Sequence, residues 1–254
     1  MRIESRQNKM VKIVKSLHSK KGRLLEGLHL IEGEKLILEA AHADMKIDTI
    51  FFEEGFLLKG ELKSAARNLV EVTRPVMEAM TDTVSPQHVC ATVETPKEAL
   101  PDCYPHGLLI ALDTLQDPGN LGTIIRTADA MGALGVILSE GCADAYSPKC
   151  MRAAMGSTYH VPIWRGELKE ALQAMQCDGF CCICGDLQGE EQLPPILDRC
   201  VIVIGNEGNG VHESIAALCA RYRLPMYGRA ESLNASMAAG LLMYEVAKRM
   251  HTEI

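Results

Sequence analysis

Six apolar runs of strand length lie in the second half of the chain, and most of them do not alternate with polar residues. The runs are GLLIALD (107–113), GVILS (135–139), VPIW (161–164), FCCICGDL (180–187), VIVIG (201–205) and RLPMY (223–227). Strands that are apolar on both sides fit a largely parallel sheet covered by helices on both faces. Helices are predicted near 120–132, 148–156, 166–176 and 211–221, with a long terminal helix from about Asn234. Residues 107–254 are therefore predicted to form an α/β domain.

Three polar turns accompany these strands and bring glycine, proline or asparagine to their ends. The blocks are DTLQDPGNLGTIIRTADAMG (113–132), VIVIGNEGNG (201–210) and LPMYGRAESLNASMAAG (224–240). Turns at strand ends are where an α/β sheet assembles a binding site from distant parts of the sequence. A single block would be weak evidence, but the three together predict one site.

The first block predicts a turn, DPGN (117–120), followed by a helix that Asn120 could cap. Arg126 lies roughly two helical turns further on. Its small neighbours let the helix pack closely, so we expect Arg126 to project from a well-held backbone. The alternative is an ordinary surface arginine paired with Asp129 or Glu140.

The second block places glycines directly after a strand, where backbone N–H groups can approach a ligand. The order is not G-x-G-x-x-G, so a nicotinamide site is poorly supported. Glu207 lies between two glycines, where an acid has little packing role. In the third block, Ser232 and Asn234 are natural N-cap residues. The alternative for this block is that the loop 224–233 wraps a ligand with its main-chain groups.

The amino-terminal segment is basic although the whole chain has a formal net charge of −7. Residues 1–24 contain eight lysines and arginines and only one acid, Glu4. A basic arm on an acidic protein is expected where a protein contacts phosphates. On charge alone, a solvated helix face explains the arm equally well.

Residues 1–96 are predicted to form a separate small α/β domain. Helical spacing from Met10 to Leu17 and a helix entry within 29–43 are followed by a strand at 47–53, a helix at 61–68 and a strand at 69–73. Pro96, Pro101 and Pro105 interrupt regular structure, so residues 97–106 are predicted to be a linker.

The ten cysteines predict neither a disulfide framework nor a metal site. Cys181 and Cys184 have C-x-x-C spacing, but no second pair completes a zinc site, and a buried strand is the better interpretation. The N-terminus lacks the apolar core of a secretory signal, and no apolar run approaches the roughly 18–20 residues of a membrane span. We therefore expect a cytoplasmic protein with no membrane partner and no metal.

The three blocks closely resemble the signature motifs of the SpoU (TrmH) family of RNA ribose 2′-O-methyltransferases, in the SPOUT superfamily. N-x-G-x-x-x-R-x-A spans 120–128, G-N-E-G-x-G spans 205–210, and S-L-N-x-S spans 232–236. The segment 147–163 is similar to the family's basic, glycine-ended helix, although Ala154 replaces a common serine. Ala235 likewise stands where valine is frequent. Residues 1–96 look like the L30e-like substrate-binding domain that many rRNA-directed members carry.

This resemblance implies a fold, a cofactor and a set of site residues. The fold would be an α/β sheet with a C-terminal trefoil knot, and members are typically homodimers. The knot loops would hold S-adenosylmethionine, mainly through main-chain groups, at Gly205, Leu224 and Leu233, with Met226 and Ser236 nearby. Arg126 would engage the target ribose or its phosphate, acting mainly by positioning and charge stabilisation. The remaining catalytic positions, which would hold Arg126 and the cofactor loop, are Asn120, Glu207, Ser232 and Asn234.

The predicted function is therefore S-adenosylmethionine-dependent 2′-O-methylation of RNA, with ribosomal RNA as the expected substrate. The extra amino-terminal domain favours rRNA by analogy. A tRNA-directed enzyme is the nearest alternative. A non-catalytic RNA-binding or ribosome-assembly protein that retains the fold is the other.

Overall fold

The computed structural model describes residues 1–83 and 85–252, without the side chains of residues 251 and 252. Contacts divide the chain into two compact units. Unit 1 consists of Met1–Pro96 and Tyr146–Tyr159, and unit 2 consists of Lys97–Ala145 and the chain from His160 onward. The predicted linker at 97–106 thus lies in unit 2, and the segment 146–159 lies in unit 1. The predicted domain ranges also include Val84, Glu253 and Ile254, which are outside the described residues.

Unit 1 contains a five-stranded sheet in the order β1-β4-β3-β5-β2. Strand β4 pairs in parallel with β1 and β3, whereas β5 pairs antiparallel with β3 and β2. The elements up to residue 96 are β1 (Arg2–Ile3), α1 (Lys9–Ser16), α2 (Lys20–Glu26), β2 (Leu28–Glu32), α3 (Glu34–His42), β3 (Ile47–Glu53), α4 (Gly60–Ala65), β4 (Ala66–Val72), α5 (Arg74–Met80) and β5 (Val89–Glu94).

Two predicted helices of unit 1 differ from the structure in their bounds. The helix predicted at 61–68 ends at Ala65, where β4 follows. The segment 29–43 was expected to enter a helix, but its first part belongs to β2 and the helix α3 begins only at Glu34. Leu30 and Ile31 are buried in the sheet and pair with β5, so tertiary packing decides the conformation. Gly33 separates the two elements with a positive φ of 96°, which glycine adopts readily.

Unit 2 is built on a six-stranded, wholly parallel sheet in the order β11-β9-β10-β6-β7-β8. The predicted parallel α/β architecture is therefore confirmed. The remaining elements of the chain are β6 (Leu108–Leu112), α6 (Pro118–Ala130), β7 (Val136–Leu138), α7 (Pro148–Ala154, in unit 1), β8 (Ile163–Arg165), α8 (Leu168–Cys177), β9 (Cys181–Glu190), β10 (Cys200–Ile204), α9 (Glu213–Ala216), β11 (Ala220–Tyr222) and α10 (Ala235–Thr252).

Both faces of this sheet are covered. On one face, Leu109 and Val201 pack in a cluster with Leu172 and Met175 of α8. Because side chains alternate along a strand, residues such as Ile110 and the others at even positions of β6 and β10 point to the opposite face, and they are buried too. Helix α10 contacts β9, β10 and α6 there. The apolar runs are unalternating because neither face meets water.

Two predicted elements near the site differ from the structure. The last strand is Ala220–Tyr222, and the run 223–227 is an irregular loop instead of a strand. Pro225 has no N–H to donate to a sheet, which explains why the strand ends before it. The helix expected at 211–221 is only the single turn α9. Within the described residues, no helix is both long and apolar enough to cross a membrane.

Candidate active site

Helix α6 begins immediately after the turn that follows β6. Asp117 is its N-cap, and the Asp117 side chain accepts a hydrogen bond of 2.9 Å from the backbone N of Asn120. Pro118 occupies the first turn, where its missing N–H is not needed. The expectation that Asn120 caps this helix is therefore wrong. Its side chain is instead available to contact other segments.

The side chain of Asn120 connects the three sequence blocks. Asn120 Nδ2 donates to Glu207 Oε1 at 3.1 Å, and Asn120 Oδ1 accepts from Asn234 Nδ2 at 3.1 Å. Asn234 Oδ1 in turn accepts from the Ser236 backbone N at 2.9 Å and from Ser236 Oγ at 2.6 Å. Asn234 thus caps α10 and reaches α6 at the same time. Four of the predicted site residues form one hydrogen-bonded chain.

Glu207 is an acceptor for three donors from the first block. Besides Asn120, the backbone N atoms of Asp117 and Gln116 point to its carboxylate, at 3.3 and 3.4 Å. Partial burial opposes ionisation, but the hydrogen bonds from Asn120 and from the backbone outweigh it and lower the pKa of Glu207 from its ordinary value. Glu207 is therefore a carboxylate at neutral pH, and it fixes the turn before α6.

The glycine-rich turn after β10 is closed on itself. The backbone N and O of Asn206 exchange hydrogen bonds of 2.9 Å with Gly210. A Cβ on Gly205 would lie 2.0 Å from the Gly210 carbonyl carbon, so only glycine fits at this position. The sequence predicts that the glycines of this turn let backbone groups approach a ligand. The approach seen here is to the chain's own turn.

Two further polar residues of this region escaped the sequence analysis. Asn206 Nδ2 donates to the Thr114 carbonyl at 2.9 Å, while its Oδ1 accepts from the Gly208 backbone N at 2.9 Å. Asp113 is only 6 % exposed, and its Oδ2 accepts from the His212 backbone N at 2.8 Å. Both residues stand at the ends of predicted strands, which is the signal that would have found them.

A cleft of about 530 Å³ opens beside this turn. Its walls come from the end of β9, the glycine-rich turn, the loop after β11 and the start of α10. The predicted site residues that line it are Gly205, Glu207, Leu224, Met226, Ser232 and Leu233. Asn120, Asn234 and Ser236 are not among the described lining residues; they support its rim through the hydrogen-bonded chain.

Arg126 is exposed on α6 and makes no hydrogen bond or ion pair with any residue in the described part of the chain. The alternative of a surface ion pair is therefore wrong for both Asp129 and Glu140. Asp129 Oδ2 instead contacts His160 Nδ1 at 2.9 Å. None of the four residues expected to hold Arg126 bonds to it within the described residues. Asn120, Glu207 and Asn234 bond to one another, and Ser232 lines the cleft. Arg126 is also absent from the described lining of the cleft.

Comparison with known proteins identifies the family of the chain. Residues 107–244 match the model of the SpoU rRNA Methylase family, and residues 8–91 match the MRM3-like substrate binding domain. The first match covers more than half of the chain. The chain belongs to the SpoU rRNA methylase family.

Relatives of this SpoU-family chain are similar over nearly their whole length. The Bacillus subtilis (strain 168) protein named 23S rRNA (guanosine(2553)-2′-O)-methyltransferase RlmP is 36% identical, covering 96% of this chain and 98% of its own. The Streptomyces viridochromogenes 23S rRNA (uridine(2479)-2′-O)-methyltransferase is 30% identical, covering 98% and 92%. The crystal structure of an AdoMet-bound rRNA methyltransferase from Sinorhizobium meliloti is 31% identical with a TM-score of 0.89, covering 98% and 97%.

The cleft of this SpoU-family chain suits S-adenosylmethionine. Its volume lies in the range of small-molecule sites, and its walls combine apolar side chains with glycine backbone. Leu224, Met226 and Leu233 offer apolar contact. The turn 205–210 offers backbone carbonyl groups, since most of its N–H groups already donate within the turn. Of the three carboxylates in the lining, Glu207 accepts hydrogen bonds from the first block, and Asp186 and Glu213 are both paired with Arg221. Within the described residues, no group of three or more histidine, cysteine or acidic side chains is arranged to hold a metal ion.

Proposed function

We propose that the chain is an S-adenosylmethionine-dependent RNA ribose 2′-O-methyltransferase that modifies ribosomal RNA. The observation that carries the proposal is the hydrogen-bonded chain Glu207–Asn120–Asn234–Ser236. It ties the three motif blocks of the SpoU family to the rim of one cleft. The names of the Bacillus and Streptomyces relatives support ribosomal RNA as the substrate. The match of residues 8–91 to a substrate binding domain supports a separate domain that recognises the RNA.

The cofactor, when bound, supplies an electrophilic sulfonium methyl group. The task left to the protein is to orient a ribose 2′-hydroxyl and to stabilise the charge that develops as it loses its proton. We assign this task to Arg126. Its guanidinium has no partner among the described residues, and its fork of N–H donors suits a phosphate or a ribose oxygen. Because arginine keeps its proton at neutral pH, positioning and charge stabilisation are the roles that its chemistry supports.

The other residues hold the cofactor site in shape. Leu224 and Leu233, with Met226 between them, form the loop that would lie against the cofactor, and Gly205 permits the tight turn opposite. Glu207, Asn120 and Asn234 hold this turn, α6 and α10 together, with Ser236 at the end of the chain of bonds. Ser232 lines the cleft and makes no hydrogen bond within the described residues, so its hydroxyl is available to a ligand.

The chemistry is tested by methylating an unmodified 23S rRNA transcript with labelled S-adenosylmethionine. Arg126→Ala should lower kcat by about 100-fold or more while leaving cofactor affinity, measured by calorimetry, near that of the wild type. Arg126→Lys keeps the charge but loses the fork and should recover only part of the rate. Lys169→Ala, an exposed cation on α8, serves as the control. Near-normal turnover of Arg126→Ala would refute the assignment.

The same assay separates the two alternative functions. A tRNA-directed enzyme would methylate total tRNA in preference to the 23S transcript. A non-catalytic ribosome-assembly protein would bind RNA without transferring a methyl group and would show no heat of cofactor binding.

We also propose that the protein is a homodimer that pairs through α10. Met237, Leu241 and Tyr244 are 59%, 45% and 55% exposed and follow i, i+4, i+7 spacing, so they form one apolar stripe. The opposite side of α10 is already buried, which leaves the stripe without a function inside the protomer. Leu241→Glu with Tyr244→Glu should produce a monomer in light scattering. Leu197→Glu, at a leucine outside α10 that is 80% exposed, should remain dimeric.

A C-terminal trefoil knot and a cytoplasmic location complete the proposal. The return of α10 to pack on α6, after the chain has passed through β9, β10 and β11, supports the knot. A crystal structure with continuous density from β10 to α10 would test it.

The bacterial relatives named for ribosomal RNA support the cytoplasm as the location, since bacterial ribosomes are assembled there. Fractionation of cells would test that.

A further inference from the structure

Helix α2 presents two lysines and two leucines on a single exposed face. Lys20 and Leu24 are four residues apart, as are Lys21 and Leu25, so each pair lies side by side along the helix. The opposite side carries Gly22 and Arg23, which are buried. The leucines are 75% and 78% exposed. We call these four residues the α2 face.

The α2 face is held rigidly. The Ser19 side chain caps the helix by accepting from the Gly22 backbone N at 3.0 Å, and Gly27 ends it with a φ of 65°. A Cβ on Gly22 would lie 2.0 Å from the Ser16 carbonyl oxygen, so α2 lies against the end of α1. The buried Arg23 donates from Nη1 to the Leu17 carbonyl at 2.6 Å. The leucines are therefore exposed by a fixed backbone and not by fraying.

The surroundings of the α2 face are strongly positive. Lys20 and Lys21, and the three exposed lysines of α1, make no ion pair with any residue in the described ranges. The other three basic residues of this segment already have partners: Arg2 pairs with Glu4 and Glu54, Arg6 donates to the Pro75 carbonyl, and Arg23 donates to the Leu17 carbonyl. Unpaired lysines beside exposed leucines suit a partner that is both anionic and apolar.

We infer that the α2 face binds an unpaired stretch of the substrate RNA, with its lysines on the phosphates and its leucines against the faces of exposed bases. This inference rests on the proposed function and adds the class of RNA element that is recognised. In a double helix the base faces are stacked on one another and only phosphates and groove edges are accessible. Leucine gains nothing from such a surface, whereas an unstacked base offers an apolar face next to a phosphate.

A second copy of the chain fits the face less well. A symmetric contact between two α2 faces would bring four unpaired lysines together and repel. The lysines of the α2 face would likewise repel any basic surface of another protein. An RNA loop satisfies the lysines and the leucines at once.

The test uses two probes, a single-stranded 20-nucleotide RNA and the same sequence in a duplex, each titrated with full-length protein at several salt concentrations. Leu24→Ser with Leu25→Ser should weaken single-strand binding about five- to tenfold, change duplex binding little, and leave the salt dependence unchanged. Lys20→Ala with Lys21→Ala should weaken both and reduce the slope of log K against log salt on the single strand by about 1.4, for two phosphates.

Leu57→Ser is the matched control, because Leu57 is an equally exposed leucine of unit 1 that lies near the acids Glu53 and Glu54. It should bind both probes like the wild type. Equal binding of the single strand by the leucine variant and the wild type would overturn the inference, as would an equal loss on both probes. A change in oligomeric state of the leucine variant would also overturn it, in favour of a contact between copies.

Failure of the proposed function would look different. If the wild type does not methylate the 23S transcript, the proposed activity fails whatever the α2 face does. If the wild type methylates it and the leucine variant binds and methylates normally, only the inference about α2 fails.

Discussion

At the scale of one residue, Glu207 contributes to the site through hydrogen bonds, since it contacts no cation among the described residues. Its carboxylate accepts from Asn120 and from the backbone N atoms of Gln116 and Asp117. These bonds hold the pKa of Glu207 in the folded protein below its ordinary value. Ionised Glu207 therefore stabilises the folded state at any pH above the usual titration range of a carboxyl. That contribution is lost only as the pH falls through the lowered pKa. The charge is therefore constant at neutral pH.

Glu207→Gln tests this role with almost no change in size. The amide can offer only one oxygen to the three donors and turns an NH₂ group toward one or more of them. We expect methyl transfer to fall roughly 10- to 100-fold, because the turn before α6 and the glycine-rich turn lose their register. Cofactor affinity by calorimetry should fall as well. Glu140→Gln, at an exposed acid outside the site, is the control, and an unchanged rate in Glu207→Gln would contradict the prediction.

A second residue-scale prediction concerns a thiol. Cys181 and Cys200 lie directly opposite each other in β9 and β10. A hydrogen bond from the Cys200 thiol, opposed by burial, lowers the pKa of Cys181 to about 7. Cys181 should therefore be alkylated by iodoacetamide with a midpoint near pH 7, since the thiolate is the reactive form. In Cys200→Ala the midpoint should move to higher pH, as followed by mass spectrometry of the labelled peptide.

At the scale of the element, the strands of unit 2 were predictable and the loops between them were only partly so. The unalternating runs at 107–113 and 201–205 predict buried parallel strands because the pattern depends on local composition alone. The last strand was predicted at 223–227 instead of 220–222, because an apolar run with Pro225 in it can form either a strand or a loop that faces a ligand. Asn120 was misassigned as a cap for a similar reason. Its residue type suits both a cap and a contact between segments, and only the fold brings Glu207 and Asn234 to it.

The glycine-rich turn gives an element-scale prediction with a built-in control. Gly205→Ala places a Cβ 2.0 Å from the backbone of Gly210, so the turn must open, at a cost of about 1–3 kcal/mol in unfolding free energy. Gly208→Ala lies in the same turn, but its Cβ would meet only Asn206 Oδ1, at 3.5 Å. Urea unfolding should show a clear loss of unfolding free energy for the first variant and a near wild-type value for the second. Equal behaviour of the two variants would contradict the packing argument.

At the scale of the whole molecule, the division of the chain into two units was only partly predictable from the sequence. A boundary near the prolines at 96–105 follows from local composition, but nothing local indicates that 146–159 leaves unit 2. The structure gives the reason in contacts within unit 1. His29 on β2 is fully buried, and its Nε2 lies 2.7 Å from the Tyr159 hydroxyl. Arg152 of α7 also pairs with Asp82 at 2.8 Å.

Tyr159→Phe in the full chain tests whether these contacts hold the segment in unit 1. The substitution removes one hydrogen bond to a buried imidazole and leaves the ring in place, so unit 1 should lose about 1–3 kcal/mol of unfolding free energy. Hydrogen exchange should increase in both β2 and α7, because each is held by the other, while β6 and β10 of unit 2 stay protected. Tyr227→Phe changes a tyrosine that is 98% exposed and should have no effect. If exchange rose in α7 alone, residues 146–159 would not be a structural part of unit 1.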